Sequence, residues 1–426
     1  MPNDRYDLPL TTSPAAADAY VAAVDRLLAA GDALVAGFDA ALALDSGFAL
    51  AEIGRARCLA TYGRGAEARE SAARARTLAA GASARERSHV EAQALAVEGR
   101  SADALAAIKT HLASWPRDAM VLQPTAGVFG LVAFSGRAER EEELFALLAP
   151  LATHYGDDWW FNTTLAFAEC ESGRLAAAED RVMRALEAAP HNGNAAHVRA
   201  HVHHELNQAG EGARFLRAWL PGYSPRAMLR GHLNWHLALW EMAAGDAAAG
   251  WRLFADEFGA FLDGRGETMP PLNALTDAAS WLWRAARAGQ AVAPAAWQAL
   301  AAFARARYPQ PGVAFADVHT AMACVGAGDR AGLEHVVADL GRLGGERPAC
   351  AVAAEIAIGF GALAARDWTA AIRCLEDARG DAVRLGGSRA QREFVERGLV
   401  EAYRGAGRAA DAAALVTARA TLAAGI

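Results

Sequence analysis

Residues 167–190 read FAECESGRLAAAEDRVMRALEAAP, and they decide the fold. Gly173-Arg174 sits between two stretches of helix formers. Glycine supplies the left-handed residue that ends a helix, and the polar residue after it opens the next one. Leu175–Ala189 carries apolar residues at i, i+3, i+4 and i+7, and Pro190 closes it. The same punctuation recurs at Gly63-Arg64, Gly99-Arg100, Gly136-Arg137, Gly210-Glu211, Gly245-Asp246, Gly328-Asp329 and Gly407-Arg408, with a weaker copy at Gly289-Gln290. By subtraction the first six glycines lie 36, 37, 37, 37 and 35 residues apart, close to the tetratricopeptide length of about 34. Each turn is expected to be the middle of a helix–turn–helix unit. The stretches Asp32–Leu44, Ala102–Trp115 and Trp368–Leu385 repeat the second-helix pattern, and Pro116 closes one of them. The expected fold is all-α, an α-solenoid of tetratricopeptide-like repeats forming a right-handed superhelix.

Composition agrees. The chain has 426 residues, 53% of them hydrophobic, with abundant alanine and few strand-forming runs. An array accommodates this length because each repeat packs only on its neighbours. Residues 1–30 are expected to form an N-terminal segment and first helix, and 31–426 a continuous solenoid. The connectors Leu220–Pro225 and Gly264–Pro271 interrupt its regularity. No stretch shows the roughly 20 uninterrupted apolar residues of a membrane span, and Met1–Pro14 lacks the apolar core of a signal peptide. Five scattered cysteines without a CxxC suggest buried thiols in a reducing, cytoplasmic setting. Net charge is −7 with no basic stripe, which argues against nucleic acid. The Arg-rich patches Arg64–Arg76 and Arg85–Arg87 contain Glu67, Glu70 and Glu86 and are expected to be solvated helix faces.

The twelve histidines are unevenly placed. Counted from the glycine of its own turn, His201 is nine residues before Gly210, His236 nine before Gly245, Ser280 nine before Gly289 and His319 nine before Gly328. His197 and His232 are each thirteen before theirs. Two HxxxH pairs thus occupy equivalent positions in neighbouring repeats, on first helices that line the inner wall of such arrays. His201, His236 and His319 are the candidate acid/base groups, or the ligands of a divalent metal ion, with Asp277 and Asp317 orienting them. His197, Glu205, His232, Trp235, Trp240, Ser280, Trp283 and Arg284 complete the candidate ligand site within 159–327, and Trp281 adds to its aromatic wall. Arg284 is expected to pair with Asp277, with another wall carboxylate or with an anionic ligand group. His89, His111, His154 and His335 are expected to be surface or satisfied core residues. HExxH, a Gly-rich phosphate loop and GxSxG are all absent.

The stretches His197–Leu206 (HVRAHVHHEL), His232–Leu239 (HLNWHLAL), Asp277–Arg284 (DAASWLWR) and Phe315–Ala323 (FADVHTAMA) resemble the tetratricopeptide repeat domain 38 family. The resemblance spans most of the chain and is best between about Trp159 and Ala327. It implies His201, Glu205, His236, Asp277, Arg284, Asp317 and His319 as shared polar positions, and no reaction. Asn234 stands where an aromatic or acidic residue is expected.

Two functions follow. One is a pocket for a small molecule, with or without acid/base or metal-assisted catalysis. The other is a scaffold holding a peptide in its groove, which usually advertises Asn/Lys/Arg clamps on successive first helices. Those clamps are absent, and the pocket is favoured. A homodimer is the self-association considered, and no membrane partner is expected.

Overall fold

A computed structural model describes residues 1–265, 269–419 and 422. Among them there is no β-strand beyond one isolated bridge, Asn3 with Pro9. Two compact units divide the chain. Residues 1–135, 141–198 and 221–230 form the first, and 136–140, 199–220 and 231–426 the second. The helices of the first are α1 (Pro14–Leu28), α2 (Leu34–Leu44), α3 (Ala49–Thr61), α4 (Gly65–Ala79), α5 (Ala84–Val97), α6 (Ser101–Ser114), α7 (Ala119–Leu122), α8 (Arg140–Leu148), α9 (Ala152–Tyr155), α10 (Trp159–Glu171) and α11 (Leu175–Ala188). The division falls inside α12 (Gly193–Glu205), after Val198. The second unit continues with α13 (Ala209–Trp219), α14 (Arg230–Ala243), α15 (Ala247–Leu253), α16 (Pro271–Arg287), α17 (Pro294–Arg307), α18 (Ala314–Ala327), α19 (Arg330–Gly344), α20 (Pro348–Ala364), α21 (Trp368–Arg379), α22 (Arg389–Arg392), α23 (Phe394–Gly405) and α24 (Ala409–Ala418). Part of the Gly264–Pro271 connector and the chain end, 266–268 and most of 420–426, lie outside the described residues.

Each unit is built of helix pairs stacked on the next pair, which is the tetratricopeptide-like α-solenoid arrangement. Thus α1 packs on α2, α3 on α4 and α5 on α6, while α20 packs on both α19 and α21. Small residues also set the approach between successive pairs. A β-carbon on Gly212 would overlap the Trp240 ring, so α13 seats directly against α14.

The turns follow the glycine rule at Gly63, Gly99, Gly173, Gly245, Gly289, Gly328 and Gly407, all with φ between 69° and 90°. One turn differs from the sequence expectation. Gly210 lies inside α13, and the left-handed residue is Asn207, with φ 56°. Asparagine tolerates that conformation because its short polar side chain bonds locally. Arg366, with φ 57°, ends α20 in the same way and carries no glycine signal. Gly136 is left-handed as expected, yet a 3-10 turn at Ala133–Ser135 precedes it in place of a full first helix.

One further expectation needs correction. Arg85 and Glu86 are not a solvated face, because both are buried. Arg85 donates to Asp118 at 2.7 Å and to the Pro9 carbonyl, while Glu86 accepts from Thr11 and caps α5 through Ser83. Pro348–Ala365, with mean hydropathy 1.7, is long and apolar enough by length and composition to cross a membrane, although Glu355 interrupts its apolar run. In the fold it is a core helix, half buried and packed on α18, α19, α21 and α23. All five cysteines are buried.

Candidate functional site

Helix α12 carries His197 and His201 one turn apart, and α14 carries His232 and His236 one turn apart. One ligand-capable ring nitrogen from each of the four lies within 4.8 Å of the others. α12 is continuous across the unit division, so His197 keeps its place one turn before His201. The rings pack edge to face: His201 on His236 with centroids 4.8 Å apart, and His232 on His236 at 4.9 Å. Trp235 lies flat under His232 at 5.2 Å and edge-on to His236 at 4.7 Å, and Trp240 closes the next turn at 6.0 Å from His236.

Asp277, on α16, fixes one of these rings. Both of its carboxylate oxygens accept from His232 Nδ1, each at 2.9 Å. A carboxylate facing Nδ1 makes that nitrogen the proton donor, so in the neutral ring Nε2 carries the lone pair. Burial raises the Asp277 pKa, and the His232 ring offsets only part of that rise. Burial also holds His201 well below the usual imidazole range, helped by the nearby His232 and His204 rings, so His201 is neutral at pH 7. His201, His232, His236 and Asp277 are at most 2% exposed, and His197 is 7% exposed.

His319 does not belong to this group. It lies on α18, where Nδ1 donates to the Phe315 carbonyl at 2.7 Å and the ring meets the edges of Phe315 and Phe394. Burial, with Arg284 nearby, pushes its pKa down to about 4. Nor does Asp317 face His319. It accepts from the Gly312 N–H at 2.9 Å at the start of α18, and burial raises its pKa to about 7.

Arg284 and Ser280 belong to a second polar centre. Arg284 Nε donates to Ser280 Oγ at 3.2 Å, Nη2 donates to the Ala390 carbonyl, and Nη1 is 3.6 Å from Glu393. Glu393 is fully buried and also accepts from Arg397 at 2.8 Å, from Arg419 at 3.2 Å and from His204 Nε2 at 2.9 Å. Glu205 joins through Arg389 at 3.7 Å and Arg419 at 3.8 Å. Arg284 thus meets a wall carboxylate other than Asp277. Trp283 lies away from the imidazoles, under Arg287 at 3.9 Å and against Phe360, and Trp281 packs on Trp251.

Sequence reading missed Glu393 and its arginines. The available signal was Glu393-x-x-x-Arg397, an i, i+4 pair at the start of α23. It also missed the unit-one hub, where Asp118 accepts from Arg85, from His89 Nδ1 at 3.0 Å and from His111 Nε2 at 3.2 Å. His111 is therefore a satisfied core residue with both ring nitrogens bonded, His89 is a core residue whose Nδ1 is bonded and whose buried Nε2 is not, and His154 and His335 are exposed.

No family model matches the chain, and no curated protein matches it. Among solved structures it is similar to a chain in the structure of Naa15/Naa10 bound to HypK-THB, at 13% identity and a TM-score of 0.26. That match covers 96% of this chain and 63% of the other, so this chain spans less than two thirds of its length. At that identity and TM-score the likeness decides nothing about family, partners or activity. The tetratricopeptide-like helical-repeat architecture rests on the helix pairs and turns described above.

Proposed function

We propose that this is a ligand-binding helical-repeat protein whose functional centre is the imidazole–carboxylate cluster on α12, α14 and α16. The observation that carries the proposal is the buried contact of His201, His232 and His236 with Asp277 clamping His232. Desolvating such groups is costly, and apolar side chains of similar volume would stabilise a helical core as well or better. Perturbed titratable groups packed around one point are the usual mark of a functional site. The motifs that resemble the tetratricopeptide repeat domain 38 family include the segments that bear these side chains. A peptide lying in an open groove would touch exposed residues, and these four side chains are almost wholly covered. That favours a small, enclosed ligand over a scaffold.

The test is native mass spectrometry of the full chain as purified, beside His236→Ala. The expected result is a retained species of defined mass on the wild type that the variant loses at unchanged helicity. Bare-chain mass for both, with a partner protein co-purifying through exposed residues, would establish the scaffold instead.

A further inference from the structure

Resting on that proposal, we infer that the ligand is a divalent transition-metal ion of the zinc class, bound by one nitrogen each of His197, His201, His232 and His236. Asp277 anchors the site from outside the coordination shell.

The donor set is the first argument. Four imidazole donors suit zinc, cobalt, nickel, copper or ferrous iron, whereas magnesium and calcium require oxygen ligands that this cluster lacks. Spacing is the second. A tetrahedral ion with metal–nitrogen bonds of 2.0–2.1 Å needs nitrogens roughly 3.3 Å apart. The four nitrogens already lie within 4.8 Å of one another, so small side-chain rotations complete the shell. Two HxxxH pairs on two helices supply the ligands without contribution from a loop.

The outer sphere is the third argument. Metal-bound histidines usually give their other ring N–H to a carboxylate or carbonyl, which fixes the tautomer and raises the basicity of the ligating nitrogen. His232 has that arrangement, with Nδ1 donating to both oxygens of Asp277 and Nε2 carrying the lone pair. The carboxylate also offsets part of the ion's charge in a dry environment. A large cofactor does not fit between rings whose centroids are 4.8 and 4.9 Å apart. Four imidazoles fill a tetrahedral shell, so the ion is held closed. His197, the most exposed of the four, is the ligand whose release would open a position.

The experiment uses the full chain, stripped with a chelator and titrated with Zn²⁺ and separately with Co²⁺. The expected results are one ion per chain by elemental analysis and, for Co²⁺, the intense visible absorption of a tetrahedral site. Asp277→Asn, which keeps its shape, should weaken binding 10–100-fold. His232→Ala should abolish the tetrahedral spectrum. Less than half an ion per chain after reconstitution, an octahedral-type Co²⁺ spectrum, or binding unchanged in Asp277→Asn and His232→Ala would each overturn the inference. The wild-type spectrum and Asp277→Asn keep the test decisive if a histidine variant fails to fold. An organic species retained by wild type and lost in His236→Ala, without metal, would sink the inference while leaving the proposed function standing.

Discussion

Replacing Glu393 by glutamine removes one charge at nearly constant shape, in the most heavily shared carboxylate of the second unit. Glu393 is fully buried and accepts from Arg397, Arg419 and His204, with Arg284 at 3.6 Å. Removing one partner of a buried ion pair costs roughly 3–5 kcal/mol, because the other charge is left without compensation. Some cover survives here. Arg419 keeps Glu396 at 3.2 Å, and Arg284 keeps Ser280 and the Ala390 carbonyl. The expected loss is therefore near the low end, about 3 kcal/mol, or roughly 6–12 °C in Tm for a cooperative body of 150–250 residues.

The acid limb gives an independent check. The neighbouring His204 and arginines hold the Glu393 pKa well below its ordinary value despite burial. Its contribution is complete above the unfolded carboxylate pKa, about 4.3, and is lost as pH falls through the lower folded value. Wild type should lose stability with acid more steeply than Glu393→Gln, and their curves should converge at low pH. Urea and thermal unfolding followed by circular dichroism from pH 7 to pH 3 would measure both effects. A loss below about 1 kcal/mol at pH 7, or an unchanged acid limb, refutes the assignment of Glu393 as the hub.

Two other predictions follow from the first unit and from the turns. Asp118→Asn should destabilise unit one by about 3 kcal/mol, since Arg85 loses its buried counter-charge, and urea unfolding of the variant would measure it. Gly210→Ala should stabilise by roughly 0.5–1 kcal/mol because the residue is helical with open space around it. Asn207→Ala should cost about 1 kcal/mol at its left-handed position, and opposite signs for this pair in thermal melts would confirm the turn assignment.

The helix pairs were legible because their signals are local. Glycine turns and 3.6-residue periodicity are written within one repeat, and a solenoid asks little else of its sequence. The polar centres were less legible because their partners are distant in the chain. Glu393 meets His204 across 189 positions, and Asp118 meets Arg85 across 33. Nothing local marks such a meeting. Arg85 and Glu86 alternate in sign as a solvated face would, and only the fold reveals that the chain from Pro9 to Thr11 covers them.

The imidazole cluster was legible for a reason that differs from the one first given. The equal register of His197/His201 and His232/His236 was counted from Gly210, whereas the turn residue is Asn207. The count for the α12 pair is therefore wrong by three residues. Three residues turn a helix by about 300° and advance it by about 4.5 Å, so the side chains stay within about 60° of the assumed face. The convergence survives, but at a changed level. Counted from the true turns, the order along the helices is His232, His197, His236, His201. The rings interleave, which suits one central ion better than two facing rows do. His319 shares the count of His236 and still stands outside the group. It lies on α18, two first helices beyond α14, and at about 8–10 Å per packed helix no imidazole spans that distance. Register can align side chains along a wall, and only adjacency lets them share a ligand.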